Sequence, residues 1–244
     1  MAEQPRGPSV EQTGAGQAET RLEQAERIID AYGLVLVLIL ITFVVSMTLP
    51  EEGKGGRVLT VAVGGLTTIV ALRSSNVRRG RVRLADAVAA TSVLVAVLGE
   101  VIRSDVLVGL AFATTAFLLS IAAATILRRV ISAIAVDFRT ILGAISVFAL
   151  LGLLFGFAYR ALGRLQSGQV FTGVAHPKSS DYLFFSYTTL TTTGYGNLVP
   201  ASVIAEIVAV LEMLIGQVFL VTLVAGLVSL WRPGAKRRRD EPGA

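Results

Sequence analysis

The run Thr191-Thr192-Thr193-Gly194-Tyr195-Gly196-Asn197 lies between two long apolar stretches. Its chemistry is that of backbone carbonyls. A cation entering a membrane exchanges its water shell for other oxygens, and a short extended backbone supplies stacked rings of them when several subunits contribute one copy each. Carbonyls that all point at one axis need alternating right- and left-handed residues. Gly194 and Gly196 take the left-handed conformation without a Cβ clash. The run reads as an ion-selectivity filter.

The elements around it must therefore hold it inside a bilayer. At 244 residues, 53% apolar and only 16% charged, the chain is too apolar for an ordinary soluble domain and reads as a membrane protein. The absence of cysteine excludes disulfides, thiol catalysis and Cys-ligated metals. With a single histidine and no nucleophile–base pairing, the sequence offers no catalytic constellation and does not read as an enzyme. The net charge of +5 comes with basic residues clustered beside apolar segments, which suits membrane topology and acidic headgroups better than nucleic acid. No short cleavable signal peptide opens the chain, so the first apolar stretch is expected to act as the signal anchor.

Spanning the hydrocarbon layer takes about 20 apolar residues. Six stretches qualify or nearly so: Ala31 to Leu49, Val58 to Leu72, Leu84 to Ile102, Val106 to Leu127, Ile141 to Tyr159 and Ser202 to Trp231. The expected architecture is all-α: a cytoplasmic tail (1–30), a four-helix transmembrane unit (31–127), an amphipathic interfacial linker (128–140), a pore unit (141–231) and a basic cytoplasmic tail (232–244). With both termini inside the plasma membrane, the inner segments carry Arg73, the Arg78–Arg83 run, Arg128, Arg129, Arg139 and the Arg232–Arg239 tail. They outnumber the outer Lys54, Arg57, Arg103, Arg160, Arg164 and Lys178, as the positive-inside rule requires. Arg78, Arg79, Arg81 and Arg83 mark topology or, alternatively, bind anionic lipid.

About 40 residues separate the fifth and sixth stretches. Pro177, then Ser179 or Ser180 as a cap and Asp181 in the first turn, start a helix of about a dozen residues that is too short to cross and must dip in and return.

Thr-x-Gly-Tyr-Gly after a Thr-rich segment resembles the potassium channel family, specifically prokaryotic six-transmembrane members, over residues 141–231 and only in span number before that. The resemblance implies a homotetramer conducting K+ passively, with no cofactor beyond the permeant ion. By motif alignment K+ would sit at the Thr192 hydroxyl and carbonyl and at the carbonyls of Thr193, Gly194 and Tyr195, with Gly196 closing the filter and Asn197 at the outer mouth. Four departures bear on function: Thr193 for Val, Asn197 for Asp, Thr188 where some members have Glu, and Phe184-Phe185 for tryptophans. They leave a weakly selective cation channel open as an alternative, beside a transporter or a nonconducting regulatory subunit.

In the last stretch Glu212 falls near mid-membrane, where a charge costs about 3 kcal/mol or more. It is expected to brace the pore helix through Thr188 or Thr189, the alternative being a partly solvated structural acid. Gly216 is a hinge or a packing residue, and Gln217, Leu220, Val224 and Val228 form either an inner cavity with a hydrophobic gate or a packing stripe. Val106 to Leu127 holds no basic residue. Each charge crossing the full field contributes about 2.3 kcal/mol per 100 mV, so weak voltage dependence is expected.

Overall fold

The computed structural model describes residues 33–49, 55–74, 79–132 and 138–230. Both expected tails, Arg78 and the middle of the interfacial linker lie outside them. The chain runs α1 (Gly33–Thr48), α2 (Gly56–Ser74), α3 (Arg79–Ile102), α4 (Asp105–Ile131), α5 (Phe138–Leu165), α6 (Ser179–Leu190) and α7 (Val203–Leu230). Among the described residues five helices, α2 to α5 and α7, are long and apolar enough to cross a membrane, and α1 is apolar but shorter.

These helices form because their few polar side chains find partners without leaving the bundle. Thr60, Thr68, Thr115 and Ser146 each donate to the carbonyl four residues earlier, at 2.8–3.0 Å, so the hydroxyls need no water. Others join helices: Thr42 meets Thr67 across α1 and α2 at 2.7 Å, and Ser92 donates to Thr114 across α3 and α4 at 2.7 Å. Ion pairs close the ends, Arg73 with Asp86 at 3.1 Å and Arg164 with Asp105 at 2.7 Å.

The helices run beyond the charge-free windows. Ion-paired or hydrogen-bonded arginines sit within helical turns here, so α5 extends through Arg160 and Arg164 and α4 through Arg129. Arg160 is thus not an outer-loop residue. It is 2% exposed, with its guanidinium 5.5 and 5.6 Å from the ring centres of Phe112 and Phe157 and Nη2 donating to the Ser46 carbonyl at 3.2 Å. Arg83 is exposed near the start of α3, while the side chains of Arg79 and Arg81 lie outside the described set.

One apolar core joins α1 to α5, with Phe112, Leu119, Ile126, Leu150 and Phe157 at its centre. A second joins α5, the segment before α6, α6 itself and α7 through Phe155, Tyr159, Phe171, Tyr182 and Phe185. The first four helices therefore pack on the unit formed by α5, α6 and α7, mainly along the α4–α5 seam.

Candidate ion-coordinating site

Three glycines prepare the bed of the short helix. Gly152, Gly156 and Gly163 lie along one side of α5, where an added Cβ would strike the Tyr187 ring (2.5 Å), Leu183 and the Tyr182 hydroxyl respectively. Their missing side chains let α6 lie against α5 at close range. The Tyr187 hydroxyl then donates to the Ala149 carbonyl at 2.8 Å, and its ring meets Phe43 of α1 edge-on, 5.3 Å between centroids. The helix does not start on a serine cap. Lys178 occupies the cap position, and the Asp181 carboxylate accepts its backbone N–H at 2.7 Å, because the carboxylate in the first turn answers the open amides directly.

After Leu190 the backbone turns back on the helix. The amides of Thr193 and Gly194 both donate to the Thr188 carbonyl, at 2.8 and 3.1 Å, and that of Thr192 donates to Thr189 at 3.0 Å. In a trans peptide the C=O points opposite to the N–H that follows it. The carbonyls of Thr191, Thr192 and Thr193 accordingly aim away from α6, onto a face where residues 191–197 are all exposed. Gly194 (φ 51°) and Gly196 (φ 77°) are left-handed, and so is Thr192 (φ 58°), while Thr193 and Tyr195 are not. Handedness alternates over five residues. A non-glycine residue there costs about 1–2 kcal/mol, a strain kept where the backbone has a task.

The side chains hold this course. Thr191 Oγ1 lies 2.7 Å from the Tyr187 carbonyl and 2.8 Å from Thr193 Oγ1, so with one proton each, Thr191 donates to the carbonyl and Thr193 to Thr191. Valine at 193 would lack that bond. Tyr195 is 70% exposed and stacks on Phe184, 5.6 Å between centroids. Beyond the exposed Asn197, the returning chain is clamped to the segment before α6, with Thr172 N–H to the Val199 carbonyl and Ala201 N–H to the Val170 carbonyl, both 2.8 Å.

Glu212 is fully buried behind α6. Its partners are Ser186, at 2.5 Å, and the Tyr159 hydroxyl, at 2.8 Å. Neither Thr188 nor Thr189 is the partner. Thr188 Oγ1 bonds the Phe185 carbonyl at 3.0 Å, and its own carbonyl, like that of Thr189, receives the amides of residues 192–194. The reason is helical phase: Ser186 and Thr188 are about 200° apart around α6, so the side facing α7 offers the serine. One turn further along α7, a Cβ on Gly216 would sit 2.6 Å from the Leu190 carbonyl oxygen. That places the glycine in close contact with the end of α6. Gln217 is exposed and Leu220 half-buried, while the side chains of Val224 and Val228 lie outside the described set.

Residues 147–232 match a family model described as an ion channel. That match indicates an ion channel. No curated protein and no solved structure matches the chain. With the apolar helices, the match points to a multi-pass membrane protein, and the matched stretch contains residues 191–197, Glu212 and Gly216.

Sequence reasoning missed several residues of this channel-like unit. Phe171, 0% exposed, inserts between Tyr182 (5.5 Å), Phe185 (4.9 Å) and Tyr159 (6.4 Å), and so anchors the segment that clamps the chain returning after Asn197. An aromatic residue in a polar, glycine-containing loop was the available signal. His176, exposed, lines a cavity of about 720 Å³ with Arg57, Arg164 and Lys178, and among the described residues no group of acids and histidines is placed to hold a metal.

Proposed function

We propose that this channel conducts K+ passively down its electrochemical gradient, through a filter assembled from four copies of residues 192–196, with weak voltage dependence. The observation that carries the reading is the alternation of left-handed Thr192, Gly194 and Gly196 with amides tied back to α6. A single chain so arranged presents one row of oxygens and no enclosure. Several copies around an axis turn the row into rings that replace an ion's hydration shell. Support for assembly also comes from α7, which buries a narrow stripe at Ala205, Ala209, Glu212 and Gly216 and leaves Ile207, Val210, Leu211, Leu214 and Val218 exposed.

Support for weak voltage dependence comes from α4. Its basic residues are Arg128 and Arg129 in the last turn, and Arg129 donates to the Ser74 carbonyl at 3.1 Å. Purified protein in liposomes tests the proposal. Unitary current steps that reverse near the K+ equilibrium potential under opposed K+ and Na+ gradients are expected, and Gly194→Ala, which forces a Cβ onto φ 51°, should abolish them. Reversal near zero would instead make it a weakly selective cation channel. Transport without steps would make it a carrier, and no flux a regulatory subunit.

A further inference from the structure

We propose that Tyr159 and Ser186 are filter-positioning residues that act through Glu212, so that ion discrimination is set from behind the pore helix. This rests on the conduction reading above.

The three side chains are each 0% exposed and come one apiece from α5, α6 and α7. Glu212 spends one oxygen on each neighbour: Oε2 receives the Tyr159 hydroxyl at 2.8 Å and Oε1 meets Ser186 Oγ at 2.5 Å. Ser186 Oγ is also 2.8 Å from the Gly152 carbonyl, at the point where α5 lacks a side chain. The carboxylate is a strut of fixed length between three helices, and hydrogen bonds, unlike apolar contacts, fix direction as well as separation. An aliphatic residue at 212 would fill the space without setting the position of α6.

That position matters because the filter hangs from the same helix. The acceptors for the amides of Thr192, Thr193 and Gly194 are the carbonyls of Thr189 and Thr188, within one helical turn of Ser186. A rigid displacement or rotation of α6 at Ser186 is therefore passed on to the row of carbonyls. A turn further on, the approach of Gly216 to the Leu190 oxygen leaves no slack to absorb it. The same pairing of polar groups would be mere glue if the filter were hung from another element.

The test uses the full chain with two independent readouts: amide hydrogen exchange at residues 192–194 and the K+/Na+ permeability ratio in liposomes. Tyr159→Phe keeps the ring and Ser186→Ala keeps the helix. Each should speed exchange at those amides and lower the permeability ratio roughly five- to tenfold, the size of one or two net hydrogen bonds. Glu212→Gln, which keeps an acceptor and adds a donor, should lie nearer wild type than Glu212→Leu. Unchanged exchange and selectivity in folded Tyr159→Phe and Ser186→Ala protein overturns the proposal, as does a loss of thermal stability alone. If the wild type fails to discriminate K+ while exchange still accelerates in the variants, the conduction reading and the claim on discrimination fall, and only the positioning of the 192–194 backbone by Tyr159 and Ser186 stands.

Discussion

Gly216 separates two ways in which α7 can serve the pore. A methyl group added there would lie 2.6 Å from the Leu190 carbonyl oxygen and 2.9 Å from Leu190 Cδ1, against ordinary contact beginning at 3.4 Å. Relief needs a shift of about 0.8 Å, from 3.4 − 2.6. The Leu190 side chain can rotate, but its carbonyl belongs to the backbone that leads straight into Thr191. The shift must therefore enter the filter or separate α7 from α6. Overpacking of this kind costs about 1–3 kcal/mol, more than the roughly 1 kcal/mol that alanine gains over glycine in a helix. Gly216→Ala should lower the thermal midpoint of the purified protein in lipid and reduce unitary conductance or K+ selectivity. Gly226→Ala, where an added Cβ meets nothing within 4 Å among the described residues, should be neutral or slightly stabilising. Gly216→Ala with unchanged midpoint, conductance and selectivity, and only an altered open probability, would refute the packing argument and favour a hinge.

Other outcomes follow from the same contacts. Phe171→Ala empties a site that is 0% exposed among three aromatic rings and should cost about 3–5 kcal/mol, seen as a lower thermal midpoint and faster proteolysis of the loop before α6. Thr193→Val removes the 2.8 Å bond to Thr191 Oγ1 and should weaken the filter by about 0.5–1.5 kcal/mol, read as faster decay of current with the conductance retained. Gly152→Val drives two methyls into the Tyr187 ring and should prevent α6 from seating, giving misfolded protein on size-exclusion chromatography. The conductance–voltage curve should have a slope equivalent to about one elementary charge or less per subunit; a slope of several charges would show that the field acts on residues other than Arg128 and Arg129.

The apolar runs located α1 to α5 and α7, because hydropathy reports burial in lipid and little else is needed to place a helix there, while α6 was placed by Pro177 and Asp181 at its start. Helix ends were less legible. Arg160 and Arg164 continue α5 because aromatic faces, a carbonyl and Asp105 accept them, and such partners are not adjacent in sequence. Glycine at 194 and 196 announced the left-handed backbone, whereas Thr192 did not, since a β-branched residue adopts φ 58° only when neighbouring amides are anchored elsewhere. A buried acid at 212 was legible from its depth, but its partner depended on the rotational phase of two helices, and Ser186 rather than Thr188 won by that phase. Gly152, Gly156 and Gly163 carried no visible signal beyond being small, because what they admit arrives from 19 to 35 residues away.

The central claim is that exposed carbonyls of the 192–196 segment meet their copies around a shared axis and hold dehydrated potassium. A structure of the purified protein in lipid and K+ tests it most directly. Four chains with a column of ion density bounded by the Thr192, Thr193, Gly194 and Tyr195 oxygens are predicted. A monomer, or an assembly in which those oxygens face lipid or separate compartments, would contradict it.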